Sequence, residues 1–168
     1  TPFTGSVSVT SGTNIYAKYL LYDRGYMLAA NVRDVKDMGL NGSTTYYDDR
    51  LYYSLIFQPS SFTANRFLNF QVGDAEYISG ITKKFGRDEI YKQSSIQELS
   101  FTQLDPVAEG GDQQITPIVK GFGNISDSPP QDIGDFDAMF SRDGIILWDG
   151  GRKQRINLEA EKLIISKA

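Results

Sequence analysis

Three aspartates, Asp132, Asp135 and Asp137, fall close together in the run Asp-Ile-Gly-Asp-Phe-Asp. Carboxylate oxygens are hard ligands, and loops that gather several of them hold calcium. The run lacks the alternating acids, the following Gly and the distal Glu of the helix-loop-helix calcium motif. It is therefore expected to act as a loop-to-strand junction. Asp132 and Asp135 follow the Pro129-Pro130 turn, where Asp side chains accept from nearby backbone N–H groups. Phe136, Ala138 and Phe140 alternate and are expected to point inward, which leaves Asp135 and Asp137 on the outer face.

Tyr46, Tyr47, Tyr52 and Tyr53 crowd around Asp48, Asp49 and Arg50. Aromatic faces flanked by carboxylates can stack on and hydrogen-bond a sugar, so these four are the ligand surface a glycan would use. Tyrosines that alternate along a strand also serve as core and cross-strand partners, and the periodicity favours that role. Lys83, Lys84 and Arg87 form one basic cluster, and Arg152, Lys153 and Arg155 another. Both are expected at solvated turns, where cations deter strand pairing at sheet edges. Lys120-Gly-Phe-Gly-Asn lacks the Gly-Lys-Ser/Thr ending of a phosphate loop, and Asn41-Gly-Ser and Asn124-Ile-Ser match the glycosylation acceptor pattern.

The chain has no histidine and no cysteine. That removes Ser-His-Asp and Cys-His nucleophile pairs, imidazole-held zinc or haem, and disulfides. Asp48/Asp49 and Asp135/Asp137 are the carboxylate pairs a glycosidase would need across a cleft, but neighbouring exposed acids are ordinarily solvated. No catalytic residue and no cofactor is assigned, and the chain is expected not to be an enzyme. A net charge of -4 argues against nucleic acid as a partner.

The elements that would position these groups change period along the chain. Leu21, Gly25, Leu28, Val32, Val35 and Gly39 recur at steps of three and four, which predicts a helix from Ile15 to Met38 with Gly39 as its C-cap. Beyond it the period becomes two. Leu51 to Phe57, Phe67 to Val72, Asp88 to Tyr91, Ile96 to Phe101 and Ile115 to Phe122 read as strands. The segments from Thr102 to Gln114 and from Asn124 to Asp135 read as loops. Phe136 to Phe140, Ile145 to Trp148, Ile156 to Leu158 and Leu163 to Ile165 follow as a meander with Asp-Gly turns. The expected fold is α+β: one long N-terminal helix packed on an antiparallel sheet that ends in a C-terminal β-meander. Residues 1–13 would form an extended arm and residues 14–168 a single globular domain.

The run Leu28-Ala-Ala-Asn-Val-Arg-Asp-Val-Lys-Asp-Met-Gly39 resembles the end of the long helix in type IV pilin-like proteins, particularly minor pseudopilins. Leu68 to Val72, Ile90-Tyr91, Leu99 to Phe101 and Phe136 to Phe140 are similar in order to the strands of that family. The resemblance implies a subunit of a cell-surface appendage or secretion filament, extracellular and acting through other protein subunits. The apolar anchor that opens such proteins has no counterpart in Thr1 to Thr13, so membrane contact is expected only through a segment absent here. A phage or virion structural protein, and a carbohydrate-binding β-rich module, are the alternative expectations.

Overall fold

The computed structural model describes residues 6–8, 14–35, 44–62, 66–70, 76–84, 86–101 and 113–156. Among them there is no helix, and the strands form three antiparallel sheets. Sheet I runs β1 (Ser6–Ser8), β2 (Asn14–Asp23), β3 (Tyr26–Val35), β4 (Thr44–Tyr53), β5 (Phe67–Asn69). Sheet II runs β6 (Gly80–Lys84), β7 (Arg87–Tyr91), β8 (Ser95–Phe101), β9 (Gln113–Lys120). Sheet III runs β10 (Gln131–Asp132), β11 (Asp137–Ser141), β12 (Gly144–Trp148), β13 (Lys153–Arg155). In every sheet the spatial order is the chain order.

The expected α+β fold and its Ile15–Met38 helix are overturned: the described part of that stretch is the β2–β3 hairpin. Arg24 and Gly25 both have positive φ, 48° and 86°. That is the two-residue turn whose twist matches the flanking strands, and it cannot lie within a right-handed helix. Leu21 and Leu28, seven residues apart and so on one face of a helix, are direct cross-strand partners. Folding the chain back between them satisfies the same apolar spacing. The aromatic and β-branched content of the stretch then favours the pleated solution. Met38 and the Gly39 cap lie outside the described residues, as do residues 1–5 and 9–13 of the expected arm.

Most of the predicted strands form, but the start of the terminal meander is one residue out of phase. Phe140 is 58% exposed, while Asp137, Met139 and Ser141 are buried. A one-residue slip exchanges the two faces of a strand, so Asp137 moves from the expected outer face to the interior. Ile156 donates its backbone N–H to Ile145 but follows β13 rather than forming a strand. Leu158 and Leu163 to Ile165 lie outside the described residues.

Sheet II has a core on each side. Tyr19, Leu28, Leu51 and Tyr53 of sheet I pack with Ile81, Ile90 and Leu99 of sheet II. On the other side Tyr91 and Ile96 pack with Met139, Ile146 and Trp148 of sheet III. Asp88, Glu89, Ile90 and Tyr91 are consecutive and all fully buried, as befits a strand covered on both faces. A wide irregularity fastens sheet I to the entrance of sheet II. Pairing slips from Ala30↔Leu51 to Val32↔Tyr47, with Asn31 at φ 55°. The Asp48 carbonyl accepts from Ile78 N at 2.8 Å, and Asn31 Nδ2 donates to the Ile78 carbonyl at 3.0 Å.

Candidate functional site

Strand alternation sends neighbouring side chains to opposite faces. Asp88 therefore enters the core shared with sheet I, and Glu89 the core shared with sheet III. Each carboxylate sits in its own cluster of charged and hydrogen-bonding groups, completed by sheet I for Asp88 and by sheet III for Glu89.

On the sheet III side, Trp148 Nε1 donates to Glu89 Oε2 at 2.9 Å, and Arg87 Nε to Glu89 Oε1 at 3.2 Å. Tyr91 Oη lies 2.7 Å from Glu89 Oε2 and 2.7 Å from Asp137 Oδ2. Thr82 Oγ1 donates to the same Asp137 oxygen at 3.2 Å. A phenol carries one proton and can donate to one carboxylate only. Satisfying both short contacts requires a second proton within the Glu89, Tyr91 and Asp137 cluster. Burial raises the Glu89 carboxyl above its usual range, against the opposing hydrogen bonds of Tyr91 and Trp148. Burial, with the Glu89 and Asp137 charges behind it, drives the Tyr91 phenol far upward, so it keeps its proton.

Lys84 closes this cluster. Its Nζ donates to Asp132 Oδ1 at 2.7 Å, to the Gly134 carbonyl at 2.7 Å and to the Phe136 carbonyl at 3.1 Å. It also stands 3.3 Å from Asp137 Oδ1, outside hydrogen-bond geometry. Lys84 is 7% exposed and Asp137 0%. Burial pulls the ammonium down, but the Asp132 hydrogen bond and the Asp137 charge outweigh it, and the net shift is upward. Asp132 is held below the usual carboxylate range by Lys84 and then by the Gly134 backbone N–H.

On the sheet I side, Asp88 is fully buried and neither of its oxygens meets a donor. Burial, and then the neighbouring Asp23 charge, push it up to about 6. A protonated Asp88 supplies the missing donor itself, to Asp23. Asp23 is ion-paired with Lys83, and with Arg24 Nε at 3.1 Å.

The sequence-derived sites are redistributed accordingly. Asp132, Asp135 and Asp137 do not converge: Lys84 bridges Asp132 and Asp137, and Asp135 is exposed. Among the described residues no group of three or more acids is placed to hold a metal ion. Lys83, Lys84 and Arg87, expected at a solvated turn, are the counter-charges of the buried acids. Arg152, Lys153 and Arg155 are exposed as expected. The four tyrosines share no surface. Tyr53 is buried edge-on against Tyr26 in the inner core, and Tyr52 packs on Phe67 on the opposite face of sheet I. Only Tyr46 and the half-buried Tyr47 reach solvent, Tyr47 with Arg50 stacked 3.8 Å from its ring centroid.

Asn124 of the glycosylation pattern is fully buried. Its Nδ2 donates to the carbonyls of Ser79, Ser126 and Ser128, and its Oδ1 accepts from Ser126 N. Asn41 lies outside the described residues. A cavity of about 460 Å³ opens beside β5, β8 and β9, with Phe70, Gln97, Ile115, Pro117 and Lys120 among its lining residues.

Glu89, Tyr91, Thr82 and Trp148 have no signal as a site in the sequence. Their one trace is an Asp-Glu pair inside an otherwise strand-like run. Comparison with protein-family models and with curated proteins returns no match.

Proposed function

We propose that the protein is a non-enzymatic structural subunit that acts through contacts with other protein subunits, in a cell-surface or virion assembly. The observation that carries this reading is the outer face of sheet III. Phe140 pairs across the ladder with Ile145, and Ala138 with Leu147. Ile125 donates its backbone N–H to Phe140, and Ile156 to Ile145, so both extend the same neighbourhood. Phe140 and Ile125 are exposed, and Ala138, Ile145 and Leu147 are partly so. A contiguous apolar sheet face of this kind marks a surface that other protein covers.

The buried clusters support the same reading, because their carboxylates, phenol and ammonium are turned toward one another between sheets rather than toward a substrate. The described part of the run that resembles the end of a pseudopilin helix lies in β3, so the proposal rests on surface chemistry and not on a spine helix. Sedimentation velocity over a concentration series tests it. The wild-type chain should self-associate, and Phe140→Glu should be monomeric with an unchanged melting temperature. A wild-type monomer at every concentration, or turnover of an ester, phosphate or glycoside abolished by one carboxylate substitution, would overturn it.

A further inference from the structure

We propose that Lys84 and Asp137 become joined by an intramolecular isopeptide bond, formed by the folded chain itself, with Glu89 and Tyr91 relaying protons. The inference deepens the structural reading, since the product is a covalent tie between sheets II and III.

Four features of the cluster bear on this chemistry. The amine nitrogen and Asp137 Oδ1 are 3.3 Å apart, so the two groups to be joined are already in direct contact. Asp137 Oδ1, which would remain as the amide carbonyl oxygen, is buried and accepts no hydrogen bond. Both groups are almost wholly withdrawn from water, so amide formation is favoured by exclusion of the water it releases. Finally, Asp137 Oδ2, the oxygen that must leave, is in contact with Tyr91 Oη, which touches Glu89 in turn. A proton already shared by that pair can be delivered where the leaving oxygen needs it.

The step balances without any co-reactant. One proton passes from the Lys84 ammonium to the carboxylates of the cluster, which gives a neutral amine and a neutral Asp137 acid. The Nζ lone pair forms a bond to Asp137 Cγ. The Cγ–Oδ2 bond then breaks, and the oxygen leaves as water with the proton relayed through Tyr91 and a second proton from Nζ. The third proton stays on the amide nitrogen, with the Gly134 and Phe136 carbonyls at hand to accept it. Nothing is oxidised or reduced, and Glu89 ends in its starting state. The cage around Lys84 favours the ammonium, so the reaction draws on a small neutral fraction. It is a slow, single maturation event.

Intact-mass measurement of the purified full chain decides the matter. The expected wild-type mass is that of the sequence less one water, with a branched peptide linking Lys84 to Asp137 after digestion. Lys84→Arg should have the full mass of its sequence. Glu89→Gln, sampled soon after folding, should form the branched peptide about a hundredfold more slowly. Should either variant fail to fold, the wild-type mass and digest still decide. A wild-type chain at full mass, with separate Lys84 and Asp137 peptides, would mean a salt bridge only and overturn the proposal. So would a lost water that maps to a cyclised Asp143-Gly144 or Asp149-Gly150. Either negative leaves the association measured through Phe140 untouched, so the two readings fail separately.

Discussion

Asp88 and Glu89 are consecutive in β7, yet their carboxylates lie in different interiors, one against Asp23 and the other against Tyr91 and Trp148. The backbone between them is part of the central sheet, so two desolvated acids are held back to back. They differ in how they are accommodated. Glu89 receives donors from Trp148 and Arg87, whereas Asp88 receives none and is left with a like-charged neighbour.

That contrast predicts a pH dependence of stability. Asp88 has a folded-state pKa of about 6, raised from 3.8. Below the unfolded value both states are protonated and the group contributes nothing. As pH rises between the two values the unfolded chain ionises first, so stability falls, and the full penalty is present above the folded value. The span corresponds to about 3 kcal/mol. Asp88→Asn, whose amide can donate to Asp23, should therefore be more stable than wild type in urea melts at neutral pH. The gain should shrink toward zero as the pH is lowered to 4. An equal gain at both pH values would contradict the assignment.

Gly123 admits no side chain. A Cβ there would sit 2.1 Å from the Lys92 carbonyl oxygen and 2.9 Å from Ser95 N, both backbone atoms that cannot swing aside. Gly123→Ala should cost at least 1–3 kcal/mol, roughly the range for overpacking. Gly134→Ala has open space around its Cβ but a φ of 88°, so its cost should be about 1 kcal/mol of backbone strain. Denaturant midpoints of the two variants compare steric conflict with strain directly.

Asn124 is predicted to be unglycosylated in the folded protein even when the chain passes glycosylation machinery, because its amide is fully buried among three carbonyls. Asn124→Asp would turn a carboxylate toward those carbonyls and should cost about 2–4 kcal/mol, the loss of several buried donors. Mass analysis of the secreted chain and thermal melts of the variant check the two parts.

The strands were largely legible because alternation is local: Leu51 and Tyr53, or Ile146 and Trp148, show their period within a few residues. The hairpin was not, because Leu21 and Leu28 suit a helix face and a cross-strand pair equally well. The positive φ at Arg24 and Gly25 separates the two, and a single Gly within a helix-like spacing does not announce a turn by itself. The interior acids were hidden for a similar reason. In Phe136 to Phe140 the aromatic residues suggested the inward face, whereas Asp137 occupies it because Thr82, Tyr91 and Lys84 wait there from strands distant in sequence. A buried charge is recognisable only together with its partners, and these partners come from another sheet.

Because each sheet is assembled from strands adjacent in the chain, every strand pairing closes a comparatively short loop, which is the quick part of reaching a β structure. The charges impose a different order. A lone sheet II can keep Asp88 and Glu89 hydrated, and their desolvation falls due only when sheets I and III are laid over its two faces. The slow steps of folding are thus expected to be the two dockings rather than the formation of any hairpin. They should respond to pH separately: the sheet I docking through Asp88, the sheet III docking through Glu89.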